Sequence, residues 1–127
     1  MTAMFRAALY AQVMWFVLAT GYNCLSLITS GHGGQGFAGD FASTSQAMAA
    51  VSIFGAVTLL GLLKRVAVYR WLSPLVAVAL FIGGVLKHVN LGPETYASYG
   101  HWAVAILINI FGTIAFAAGA LISFRKP

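Results

Sequence analysis

The side chains of this sequence that can hold a metal, bind a cofactor or move a proton are few, and they gather on two stretches. Lys87–His101 reads KHVNLGPETYASYGH and carries His88, His101, Glu94, Lys87, Tyr96 and Tyr99. Ser30–Ser45 reads SGHGGQGFAGDFASTS and adds His32 and Asp40. His88 and His101 flank a turn marked by Gly92-Pro93-Glu94, so their imidazoles can approach each other across a hairpin. With His32 as a third imidazole and Asp40 or Glu94 as a carboxylate, the set has the donor types of a zinc or copper site. His88 and His101 alone suit axial ligation of haem iron. A histidine, a tyrosine and Trp102 at one level also suit the head of a quinone, through hydrogen bonds and stacking. The competing reading is a belt of amphipathic side chains at a membrane–water interface. Lys87 opposes a cation at the adjacent His88, because like charges repel.

No catalytic template is complete. The two acids share no run, so paired-carboxylate hydrolysis lacks its parts. Ser43 and Ser45 lack a GxSxG turn. The glycine-rich stretch can cradle an anion through its N–H groups, but no GK[ST] follows it. Cys24 is the single cysteine, which excludes an internal disulfide and a CxxC motif. No residue is assigned a catalytic role, and the sequence points away from an enzyme.

The elements that position these residues are four apolar runs, at roughly residues 7–28, 46–63, 68–87 and 102–124, with loops at 30–45 and 88–101 between them. Of the 127 residues 61% are hydrophobic and 7% charged, with a mean hydropathy of +0.90. A soluble domain carries about 25% charged residues, so this chain needs lipid as its solvent. A spanning helix takes about 20 residues, and continuous rather than alternating apolarity selects helices over barrel strands. The first run continues past any signal-peptide cleavage point and reads as a retained helix. Pro74 is expected in the first turn or two of the third helix, where its missing N–H matters little. Asp40, Ser43 or Ser45 is expected to cap the second.

Orientation follows from the basic residues. Arg6, Lys64, Arg65, Arg70, Arg125 and Lys126 fall on one side and only Lys87 on the other. The positive-inside rule then places both termini in the cytoplasm and both chemistry-bearing loops outside. The net charge of +5 is therefore an orientation signal and not a nucleic-acid footprint. No acid or histidine is required in mid-membrane, which argues against a proton-coupled carrier. Helix four carries Asn109, Gly112 and Gly119 on a small-residue stripe. Gly55 of helix two, and Gln12 and Asn23 of helix one, are further packing positions.

The expected fold is an all-α integral membrane protein. It is a single domain over residues 1–127, a four-helix transmembrane bundle running up–down–up–down in the plasma (bacterial inner) membrane. Its expected partners are the lipid bilayer and other membrane subunits or copies of itself. The expected function is a non-catalytic accessory or structural subunit of a membrane assembly. The alternatives are a small homo-oligomeric channel or carrier, and a redox protein holding haem, copper or quinone at the outer face.

Overall fold

A computed structural model describes residues 1–31, 36–37, 39 and 41–127. Among them every regular element is helical, apart from one isolated bridge between Gly36 and Gly39. Helix α1 spans Ala3–Gly31 and α2 spans Phe41–Leu62. Helix α3 spans Val66–Leu91, with a π-helical stretch at Leu80–Leu86. One 3₁₀ turn, Pro93–Thr95, precedes α4 at Tyr99–Arg125. All four helices are long and apolar enough to cross a membrane.

The helix ends lie where backbone chemistry puts them. Thr2 opens α1, its hydroxyl accepting from Phe5 N–H at 3.2 Å. Ser98 does the same for α4, accepting from His101 N–H at 3.2 Å. Helix α2 closes in a two-bond motif: Arg65 N–H donates to Leu60 O and Lys64 N–H to Gly61 O. That closure holds Lys64 at φ 60°, in the left-handed region. Gly92, at φ 78°, stops α3.

Three expectations need correction. Helix α3 runs on through the polar residues to Leu91, and α4 begins at Tyr99, so the loop is shorter than 88–101, and His88 and His101 lie at the helix ends that flank the turn. Pro74 lies in the third turn of α3, because that helix starts at Val66. Such prolines are tolerated in spanning helices, where neighbouring helices satisfy the freed backbone groups. Helix α2 begins at Phe41, which places Ser43 and Ser45 inside it; Asp40 lies outside the described residues.

The helices form a ring in which α1 neighbours α2, α2 neighbours α3, α3 neighbours α4, and α4 closes on α1; Cα atoms of the diagonal pairs stay more than 8 Å apart. Numbers that rise along α1 meet numbers that fall along α4. Thr2 N–H donates to Pro127 O at 3.3 Å, Gln12 to Ala115 O at 3.1 Å, and Tyr22 Oη lies 2.7 Å from His101 O.

The half of the bundle nearer the termini is tightly filled. Trp15 packs edge-on to Phe116 with ring centroids 5.5 Å apart, and Phe5 edge-on to Tyr69 at 5.4 Å. Glycine makes both approaches feasible: a Cβ at Gly112 would collide with the Trp15 ring, and one at Gly119 with the Tyr69 hydroxyl. Inside this packing lies a polar knot. Gln12 Nε2 donates to Tyr69 Oη at 2.6 Å and to Ala115 O, while Gln12 Oε1 accepts from Thr58 Oγ1 at 3.0 Å. Ser73 Oγ donates to Phe116 O at 2.8 Å. Gln12 and Ser73 are fully buried and Thr58 nearly so; the knot joins all four helices.

Candidate functional site: a cleft at the histidine end

The other half is built differently. Helices α2 and α3 pack together along Val66–Ala79, but no Cα of Leu80–Leu91 comes within 8 Å of α2. The parting coincides with the π-helical stretch, where the wider turn displaces the backbone; such turns recur at functional sites. Between the helices lies a cavity of about 380 Å³. That falls within the range of about 300–1,000 Å³ usual for small-molecule sites.

The cavity has an apolar body and a polar mouth. Ala50, Val51 and Phe54 of α2 line one wall; Leu80 of α3 and Ala105 and Ile108 of α4 line the opposite side. Gln46, Lys87, His88, Thr95 and Tyr96 line the polar part. Asn109 reaches the π stretch, its Nδ2 donating to Gly84 O at 3.1 Å. A Cβ on Gly84 would come 2.9 Å from that carboxamide, so glycine there is what admits Asn109.

His88 is held by three residues of the helix-α3-to-α4 corner. Its Nδ1 lies 2.6 Å from Tyr96 Oη, its backbone carbonyl accepts from Trp102 Nε1 at 2.8 Å, and Gly92 N–H donates to the same carbonyl at 3.2 Å. Tyr96 is buried, which pushes its hydroxyl up to about 12, so it keeps its proton at neutral pH. That proton has no other acceptor among the described residues. Tyr96 therefore donates to Nδ1, and the neutral His88 ring carries its own proton on Nε2.

His101 has a separate setting. Its Nδ1 lies 2.7 Å from Ser98 Oγ, and its ring stacks on Phe37 with centroids 4.2 Å apart. Tyr22 Oη lies 2.8 Å from Phe37 O and 2.7 Å from His101 O, so its one proton ties α1 to both neighbours in turn. His101 is not among the residues lining the cavity, whereas His88 is. His32 lies outside the described residues. Among the described residues no three of His, Cys, Asp and Glu come together as a metal set. A metal on either ring would have to use Nε2, because a hydroxyl already engages each Nδ1.

The packing candidates fall in both halves. Gln12, Gly112 and Gly119 are in the filled half, and Gly55 lies there too, its absent Cβ leaving room for the Phe16 ring. Asn109 and Asn23 line the cavity; Asn23 Nδ2 donates to Ala19 O of its own helix at 2.8 Å. Sequence reasoning missed the partners of these residues: Tyr69, Thr58 and Ser73 for the knot, Tyr96 and Trp102 for His88. Lys87, whose side chain is exposed, also lines the cavity. The adjacent Gly83-Gly84 pair was the one visible sign of a disturbed helix. Comparison with protein-family models, with characterised proteins and with solved structures finds no match to this sequence.

Proposed function

We propose that this chain is a small, non-catalytic integral membrane protein that binds a lipid-soluble ligand in the cleft between α2 and α3. The observation that carries this reading is the parting of α2 from Leu80–Leu91 over a cavity with an apolar body and a polar mouth. That is the layout of a site for an amphipathic molecule with its tail toward the bundle and its head at the interface. The chain crosses the plasma (bacterial inner) membrane four times, up–down–up–down, with both termini cytoplasmic and the histidine end outward. Six of seven basic residues at the termini end support this orientation. A quinone falls within the reading. Haem or copper held jointly by His88 and His101 has less support, since only His88 lines the cavity and both Nδ1 atoms have hydroxyl neighbours. A channel has less support too, because Trp15, Tyr69 and Phe116 fill the half nearer the termini.

A second reading, the accessory subunit, is favoured by a separate observation. Ala49, Ser52 and Ala56 form an exposed small-residue face on α2, and a Cβ on Gly83 would meet nothing within 4 Å. Small residues let a partner helix approach closely in lipid. One preparation separates the two readings. The full chain is purified in mild detergent, its mass is measured, and an organic extract is analysed by mass spectrometry. The ligand reading expects one lipid-soluble compound enriched with the wild type and lost from Ala50→Phe, which fills the cavity wall. A stoichiometric protein partner with no enriched compound overturns it in favour of the subunit.

A further inference from the structure

From the same cleft, and resting on its reading as a ligand site, we infer that the ligand is an anionic acyl-chain amphipath whose head is held by Lys87. The first argument is charge. Lys87 lines the cavity and makes no hydrogen bond or ion pair among the described residues. Among the described residues no acid lines the cavity, Glu94 included; Asp40 lies outside them. The polar mouth is rich in donors. Lys87 offers an ammonium, Gln46 an amide, and His88 an Nε2 proton because its Nδ1 is occupied by Tyr96. A donor set with one unpaired cation calls for an acceptor that is an anion, and charge-assisted hydrogen bonds are the strong ones.

The second argument is what lipid surroundings remove. An acyl chain entering Val51, Phe54, Leu80 and Ile108 leaves neighbours as apolar as the walls, so the tail gains little by moving. Selection must then come from the head. Lys87 is the only basic residue at the histidine end, so the head's charge is decided there. The shared chemistry is a carboxylate or a phosphate on a hydrocarbon tail, from a free fatty acid or an acidic phospholipid.

The test uses the full chain in a mild non-ionic detergent, with retention read by native mass spectrometry. The probes are oleate, dioleoyl phosphatidate, monoolein with the same tail and no charge, and decylubiquinone as a neutral head. The wild type is expected to retain oleate, phosphatidate or both about tenfold better than the neutral probes, the size of one charge-assisted hydrogen bond. Oleate alone identifies a free carboxylate, and phosphatidate alone a headgroup phosphate; both support the inference. Lys87→Gln should bring charged and neutral probes to within about twofold, while Lys87→Arg keeps the preference. Ala50→Phe should lose all adducts, with Ala47→Phe as the replacement if the first variant fails to fold. Equal retention of monoolein and oleate overturns the anion, as does a preference that survives Lys87→Gln. Either result with adducts lost in the phenylalanine variant leaves the cleft as a site. Adducts that persist in a folded phenylalanine variant remove the cleft as well.

Discussion

Replacing Gln12 with methionine tests the polar knot that joins the four helices. The change keeps an unbranched side chain of similar length and removes both ends of its hydrogen bonding. Three bonds go: to Tyr69 Oη at 2.6 Å, to Ala115 O at 3.1 Å, and from Thr58 Oγ1 at 3.0 Å. Measured interhelical hydrogen bonds in a membrane average about 0.6 kcal/mol, so three together predict a loss of about 2 kcal/mol. The loss stays near that figure because the stranded groups have other recourse. The Tyr69 hydroxyl can rotate to another acceptor. The Thr58 hydroxyl can turn to a carbonyl of its own helix, as Thr113 does to Asn109 O at 2.8 Å. Equilibrium unfolding by SDS in mixed micelles, followed by far-UV circular dichroism, gives the number. Val17→Ala, at a side chain 61% exposed on α1, is the control for lipid-facing change. A double-mutant cycle with Tyr69→Phe should return a coupling of about 0.6–1.7 kcal/mol. If Gln12→Met unfolds within about 0.5 kcal/mol of wild type and the cycle is additive, the knot contributes nothing beyond packing and the reasoning fails.

Gly112→Leu should destabilise the protein more than Leu121→Ala in the same assay, since Trp15 occupies the space a side chain at 112 would need while Leu121 is 63% exposed; equal effects would refute the packing role. Lys64→Gly should raise stability by about 1 kcal/mol, because the left-handed conformation costs an L-residue roughly that much; a drop would show that Lys64 does something its backbone does not explain. Tyr96 ionises near 12 in the folded protein against about 10 unfolded, so the unfolded state loses its proton first and stability should fall as pH rises from 10 to 12. Tyr96→Phe should flatten that limb of a pH–stability curve, and an unchanged limb would assign it elsewhere. In a Cys24→Ala background, cysteines at Ala97 and Ser98, both exposed, should react with an impermeant label from outside intact cells and one at Val68 should not; equal labelling of all three would refute the orientation.

The apolar runs were legible because the bilayer sets the length of a spanning helix and leaves composition little choice. Their ends were less so. Lys87, His88 and Asn90 interrupt apolarity without interrupting backbone hydrogen bonding, and the stop at Leu91 comes from Gly92, not from hydropathy. The same cause hid the start of α2, where ASTS, residues 42–45, reads as loop by composition and is helix in the structure. Small residues on α4 marked places where something large comes close, but the identities of Trp15 and Tyr69 depend on how other helices rotate, which single-helix periodicity does not contain. The π stretch depends on the same tertiary placement. His88 and His101 were visible as chemistry; that Tyr96 and Ser98 claim their Nδ1 atoms follows from local geometry at each helix end.

The distribution of hydrogen bonds says which element the cleft can move. At the histidine end, α3, the 3₁₀ turn and α4 are bound to one another through Tyr96–His88, Trp102–His88 and Asn109–Gly84. Tyr22 adds α1 to that group through His101 O. Helix α2 is attached here to α1, with Ser26 Oγ and Thr44 Oγ1 3.3 Å apart, while its backbone stays beyond 8 Å from Leu80–Leu91. At the other end α2 is fixed by Thr58 on Gln12 and by the contact of Gly61 with Leu9 and Tyr69. The corner that carries His88 and Tyr96 is closed by the Tyr96 and Trp102 bonds to His88, whereas the backbone of α2 stands apart from Leu80–Leu91, so the open side of the cleft lies between α2 and α3. On the reading proposed above, a tail-bearing molecule in the bilayer would approach from that side, so the geometry of the bundle is consistent with the class of ligand proposed from the chemistry of its cleft.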